Sequence, residues 1–93
     1  MIEVIVALTL LLSGQGYSQQ EVNCAMNLVK AESNFHLHSR NTESGAYGLF
    51  QLMNVKGQLS MRNQVIRFDR YIKSRYDGSI CKALVHQKTK RWY

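Results

Sequence analysis

An apolar helical stripe that runs into a carboxylate constrains this chain more than any other feature. Ala25, Leu28 and Val29 stand seven, four and three residues before Glu32, offsets that share one face of an α-helix. Glu32 therefore falls where a core side chain would be expected, and Ser33 and Asn34 end the helix directly after it. Two readings follow. In one, the carboxylate sits at a helix end and turns out to water, as most glutamates do. In the other, apolar neighbours disfavour its charged form and raise its pKa, so that the acid keeps a proton near neutral pH and can deliver it.

The same periodicity sets the rest of the framework. Gln19 to Ser33 reads as one helix with Val22, Ala25, Leu28 and Val29 inward. Met61 to Tyr76 is the clearest amphipathic segment, with Met61, Val65, Phe68, Ile72 and Tyr76 at steps of three and four. Asp77-Gly78 is a stop and Ser79 a cap for a further helix from Ile80 to about His86, with Ile80, Cys81 and Leu84 inward. At 93 residues the chain has room for one small domain with a thin core.

Val4 to Leu12 is an apolar run, too short for a membrane-spanning helix of about 20 residues. Followed by small and polar residues, it suits a secretory signal peptide over residues 1–18, with the mature domain spanning 19–93. Glu3, where such signals carry a basic residue, favours the alternative of a buried first helix or strand. Export would place the domain outside the cytoplasm and allow Cys24 and Cys81 to pair as a disulfide; two lone cysteines also serve as small buried hydrophobes.

Twelve Lys and Arg against six Asp and Glu give a net charge of +6, which favours an anionic partner: nucleic acid, an acidic membrane surface or an acidic cell-wall glycan. The basic residues are scattered and no nucleic-acid-binding motif is present, so nucleic acid is not expected as the partner.

Between the helices, Phe35 to Gly45 lacks a period and is rich in turn formers, hence a loop. His36 and His38 have no third ligand near them in sequence, so no metal and no cofactor is expected. Glu43 reads as a solvated loop residue or as the second carboxylate of a two-carboxylate glycosidase. Gly45-Ala46-Tyr47-Gly48-Leu49-Phe50-Gln51-Leu52-Met53 sets two glycines, which permit close backbone approach, before an apolar run broken by Gln51. Gln51 can donate and accept together, as recognition of a sugar hydroxyl or amide requires, or it can face solvent. The chain closes on the aromatic pair Trp92-Tyr93 after a basic cluster, rings that stack on sugar faces or plug a core.

Taken together, Lys30-Ala31-Glu32-Ser33-Asn34-Phe35, the Gly45 to Met53 segment, Tyr71-Ile72 and Trp92-Tyr93 resemble the soluble lytic transglycosylase family over residues 20 to 93. That family carries a Glu-Ser pair and a downstream Gly-Ala-x-Gly-Leu-x-Gln-hydrophobic-Met motif. The resemblance implies an all-α, lysozyme-like domain that cleaves the β-1,4 bond between N-acetylmuramic acid (MurNAc) and N-acetylglucosamine (GlcNAc) in peptidoglycan. It makes Glu32 the single catalytic residue and puts Gln51, Met53, Asn41 and, in a variable slot, Tyr47 along the glycan. Where family members carry Ala-Tyr-Asn-Ala-Gly, with the tyrosine touching the catalytic acid, this chain has Ala83-Leu84-Val85-His86-Gln87, which leaves His86 or Tyr93 for that role. The short form resembles the phage type, implying a monomer, secreted, periplasmic or carried on a phage particle or cell-envelope complex. The competing expectations are a water-using lysozyme-type hydrolase and a non-catalytic glycan-binding or assembly module.

Overall fold

Three of the four helices begin at a serine. The computed structural model describes residues 1–93 as α1 (Ile2–Gly14), α2 (Gln19–Ser33), α3 (Met61–Tyr76) and α4 (Ile80–Lys90), with no strand. Ser18, Ser60 and Ser79 are extended, and each Oγ accepts the N–H two or three residues into its helix, from Glu21, Asn63 and Lys82. Caps of this kind stabilise by about 1 kcal/mol each. Asn34, Asp77 and Arg91 end the same three helices in the left-handed conformation, which satisfies carbonyls that the last turn leaves open.

Helices α2 and α3 occupy the segments that the apolar spacing predicts. Helix α4 runs one turn past the expected end at His86, to Lys90, because Gln87 and Lys88 are good helix formers and the Thr89 hydroxyl bonds back to the Val85 carbonyl at 2.9 Å. Residues 35–59 form no helix or strand; two isolated bridges, Arg40 with Tyr47 and Tyr47 with Leu52, fold the glycine-bearing segment on itself. The Arg40 guanidinium ties this segment down by donating to the carbonyls of Gly45, Val55 and Gly57 while lying over the Tyr47 ring.

The core is filled from every element. Leu8 and Leu12 of α1, Ala25, Leu28 and Val29 of α2, Phe68 and Ile72 of α3, and Ile80 and Ala83 of α4 are fully enclosed, with Leu49 and Phe50 between them. Phe50 stacks on Phe68 at 3.8 Å between centroids. The apolar run, expected as a leader or as a buried first helix or strand, is a helix packed on α2 and α3, with Ile2, Val6 and Leu10 on its outer side.

Helices α2 and α4 are joined twice. Cys24 and Cys81 form a disulfide across 57 residues of sequence. Beside it, the Glu21 carboxylate accepts from the Ser79 hydroxyl and from the N–H groups of Ile80 and Cys81, meeting the unpaired donors and the positive end of the α4 dipole. The buried Gln64 side chain of α3 accepts from Leu49 N–H and donates to the carbonyls of Leu37 and Leu59, so one amide fixes three points of the irregular segment. Gly48, at φ +85, lies against that amide; a Cβ there would overlap Gln64 Oε1, with Gln64 Cδ at 2.8 Å.

Candidate active site

The last turn of α2 brings Glu32 to the wall of an open cavity of about 600 Å³. Ser33, the next residue, anchors that turn: its hydroxyl bonds to the Val29 carbonyl at 3.2 Å and to the Leu49 carbonyl at 2.8 Å. The helix end and the glycine-bearing segment are thereby held together, which is why Glu32 and Gln51 line the same space.

Glu32 is half-buried, and burial pushes its carboxyl above the usual range. Gln87 of α4, donating from Nε2 to Glu32 Oε2 at 3.4 Å, opposes the shift only weakly. It is neither a fully solvated helix-end residue nor a buried core one. No other carboxylate lines the cavity, and Glu43 is exposed outside it.

Gln51 adopts φ +52, unusual for a residue with a Cβ, and spends its amide N–H donors on the carbonyls of Gly48 at 3.0 Å and Ser39 at 3.3 Å. Its Oε1 has no partner within the chain and is the atom left to accept from a ligand. Asn41 is arranged in the opposite sense: Oδ1 accepts from the N–H groups of Glu43 and Ser44, so the free group is the donating amide. Met53 lines the cavity with its side chain largely exposed, an adaptable apolar surface.

Tyr93 also reaches the cavity. Its hydroxyl donates to the Phe50 carbonyl, and its own carbonyl accepts from the Tyr71 hydroxyl at 2.6 Å. Burial, followed by the neighbouring Glu32 charge, holds its phenol well above its ordinary pKa, so it stays protonated. His86, the other residue considered for a place beside the acid, lies outside the cavity and bonds the Trp92 carbonyl through Nδ1.

Tyr47 corrects an expectation. Rather than facing a ligand, it is 1% exposed and outside the cavity, with its hydroxyl bonded to His38 Nδ1 and accepting from Leu59 N–H at 3.1 Å. The bridges to Arg40 and Leu52 turn its ring inward, so its contribution is to hold the segment that carries Gln51. The two histidines do not approach a third ligand; no group of three or more His, Cys, Asp or Glu is clustered to hold a metal ion.

Sequence reading did not place Arg67 or Arg91 at a site, nor assign a role to Tyr71, which entered only through the family resemblance; all three complete the wall with Trp92. A signal existed for Tyr71 and Arg67: they are four apart on α3, hence on one helix face, three residues on from the buried Gln64. The arrangement defines a small all-helical domain with one half-buried acid in an open cavity of amides, aromatic rings and two arginines. Compared with protein-family models, curated proteins and solved structures, the chain matches none.

Proposed function

We propose that this protein is a lysozyme-like lytic transglycosylase that cleaves the MurNAc–GlcNAc β-1,4 bond of peptidoglycan with Glu32 as its only catalytic residue. The observation that carries the reading is the solitary, burial-shifted carboxyl of Glu32 in the cavity that Gln51, Asn41 and Tyr93 also line. A single acid suffices for this chemistry. Protonated Glu32 gives its proton to the glycosidic oxygen as the bond from the muramyl C1 breaks. The resulting carboxylate then takes the proton of the muramyl 6-hydroxyl as that oxygen bonds to C1, closing a 1,6-anhydro ring. Glu32 ends protonated as it began, and no water is consumed.

A hydrolase of the usual two-carboxylate kind needs a second carboxyl across the scissile bond, about 5 to 9.5 Å from the first. Glu43, the only candidate that the loop supplies, does not line the cavity, which favours the anhydro-forming route. Partly enclosed glutamates raise their pKa by the physics that general acids use, so the shift supports catalysis over a purely binding role. The net charge of +6 suits approach to an anionic wall. Action on that wall from a phage particle or an envelope complex, after export directed by residues 1–18, is part of the proposal.

Mass spectrometry of fragments released from purified sacculi tests the chemistry. Anhydro-ended muropeptides are expected, lighter by one water than the reducing-ended products of hydrolysis. Reducing ends alone would replace the reading with the hydrolase, and binding without any release would replace it with a glycan-binding module.

A further inference from the structure

Arg67 and Arg91 have no part in the acid chemistry of Glu32, yet both line the cavity that holds it. They come from separate elements, Arg67 from the middle of α3 and Arg91 from the left-handed residue that ends α4. The N–H of Arg91 bonds the Gln87 carbonyl at 2.7 Å, so its backbone is held by the helix cap.

Neither guanidinium is engaged by the protein. The ion pairs of the molecule are the N-terminus with Glu3, Lys73 with Asp69 and Lys82 with Asp77, and no hydrogen bond from the side chain of Arg67 or Arg91 is made. Arg40 shows the contrast, its guanidinium committed to three backbone carbonyls. A third arginine, Arg75, lies over the Trp92 ring at 5.0 Å and packs the aromatic wall from behind. Two exposed, uncommitted, planar, five-donor groups on the wall of one cavity match a carboxylate, which accepts two parallel N–H bonds from a guanidinium.

The position of this charge is also compatible with the acid. Arginines in contact with Glu32 would hold its proton off; instead Gln87 is the only group that lowers the carboxyl, and neither guanidinium contributes. The positive pair and the proton donor line one cavity without an ion pair between them.

We propose that Arg67 and Arg91 form an anion subsite that receives a carboxylate carried by the glycan strand, borne either on the lactyl ether of a muramyl ring or on the peptide attached to it. The inference rests on the glycan-cleaving reading above and adds to it a preference for charged over neutral strands.

The test measures equilibrium binding to the Glu32→Gln protein, with and without the added pair Arg67→Gln and Arg91→Gln. Four probes are used: a neutral GlcNAc oligosaccharide, a peptide-free glycan strand with free lactyl carboxylates, the same strand after methyl esterification, and a peptide-bearing strand. Removing both guanidiniums is expected to weaken binding of a carboxylate-bearing strand by about tenfold more than binding of the neutral oligosaccharide. Esterification is expected to remove that difference. A deficit on the peptide-free strand identifies the lactyl carboxylate as the source; a deficit confined to the peptide-bearing strand identifies the peptide. The pair Arg67→Lys and Arg91→Lys, which keeps the charge and loses the fork, is expected to recover part of the affinity. Equal loss on charged and neutral probes, or no loss on either, overturns the subsite while leaving the glycan reading intact. Absence of binding to all four probes by the Glu32→Gln protein overturns both.

Discussion

Replacing Gly48 by alanine tests how the glycine-bearing segment is held against α3. At φ +85 an alanine carries a left-handed conformation that costs about 1 to 2 kcal/mol. The new Cβ also overlaps Gln64 Oε1, with Gln64 Cδ 2.8 Å away, and this side chain cannot swing aside freely because it is fully buried and bonded to Leu49, Leu37 and Leu59. Displacing it breaks two or more of those bonds at about 1 kcal/mol each. The expected total is about 3 to 4 kcal/mol, a large part of the stability of a domain this size. Gly57→Ala supplies the control: it has φ +70 and open space around its Cβ, so it carries the backbone penalty alone, about 1 to 2 kcal/mol. Urea unfolding of both variants beside the parent protein gives the two values, and their difference isolates the collision with Gln64. If Gly48→Ala were no more destabilising than Gly57→Ala, the packing of Gln64 under the segment would be refuted. The segment carries Gln51, so release of glycan fragments is expected to fall in Gly48→Ala at temperatures where the fold persists.

Four further outcomes are expected. Glu32→Gln should lower glycan cleavage by about 10² to 10⁴-fold, with far-UV circular dichroism unchanged; normal turnover would remove Glu32 from the mechanism. Cleavage in the parent should fall as pH rises through the raised folded-state pKa of Glu32. The folded carboxyl holds its proton more tightly than the unfolded one, so stability should also decline from the ordinary glutamate range up through that pKa, and denaturation across pH should show Glu32→Gln without this slope. Replacing Cys24 and Cys81 by serine opens a constraint across 57 residues and should cost about 4 kcal/mol in the loop-entropy account, read by chemical denaturation; a loss below 1 kcal/mol would show the two helices already locked by Glu21. Leu8→Ala in the full chain should cost about 2 to 5 kcal/mol because Leu8 is wholly enclosed, whereas a loss under about 0.5 kcal/mol, the size of a surface change, would show that α1 adds nothing to the stability of the other three helices.

Local periodicity alone determined α2 and α3: side chains at steps of three and four must share a helix face, and the serines, Asn34 and Asp77 that bound these helices act within a few residues of themselves. It placed Glu32 inward for the same reason, and its partial enclosure follows from the stripe of Ala25, Leu28 and Val29. What surrounds that acid was decided in three dimensions. Gln87 lies 55 residues away in sequence and Tyr93 touches the Phe50 carbonyl across 43, contacts that no local pattern encodes. Tyr47 and Gln51, four apart in one motif, part company because bridges to Arg40 and Leu52 turn one ring into the core and leave the other side chain at the cavity. The apolar run at the N-terminus is equally suited to a leader and to a packed helix when hydropathy is all that is read; its place against α2 and α3 depends on the surfaces those helices present. Arg67 and Arg91 read as scattered surface charge along the chain, and only the folding of α3 against the end of α4 brings both to one cavity, because charge acts through distance in space and not through separation in sequence.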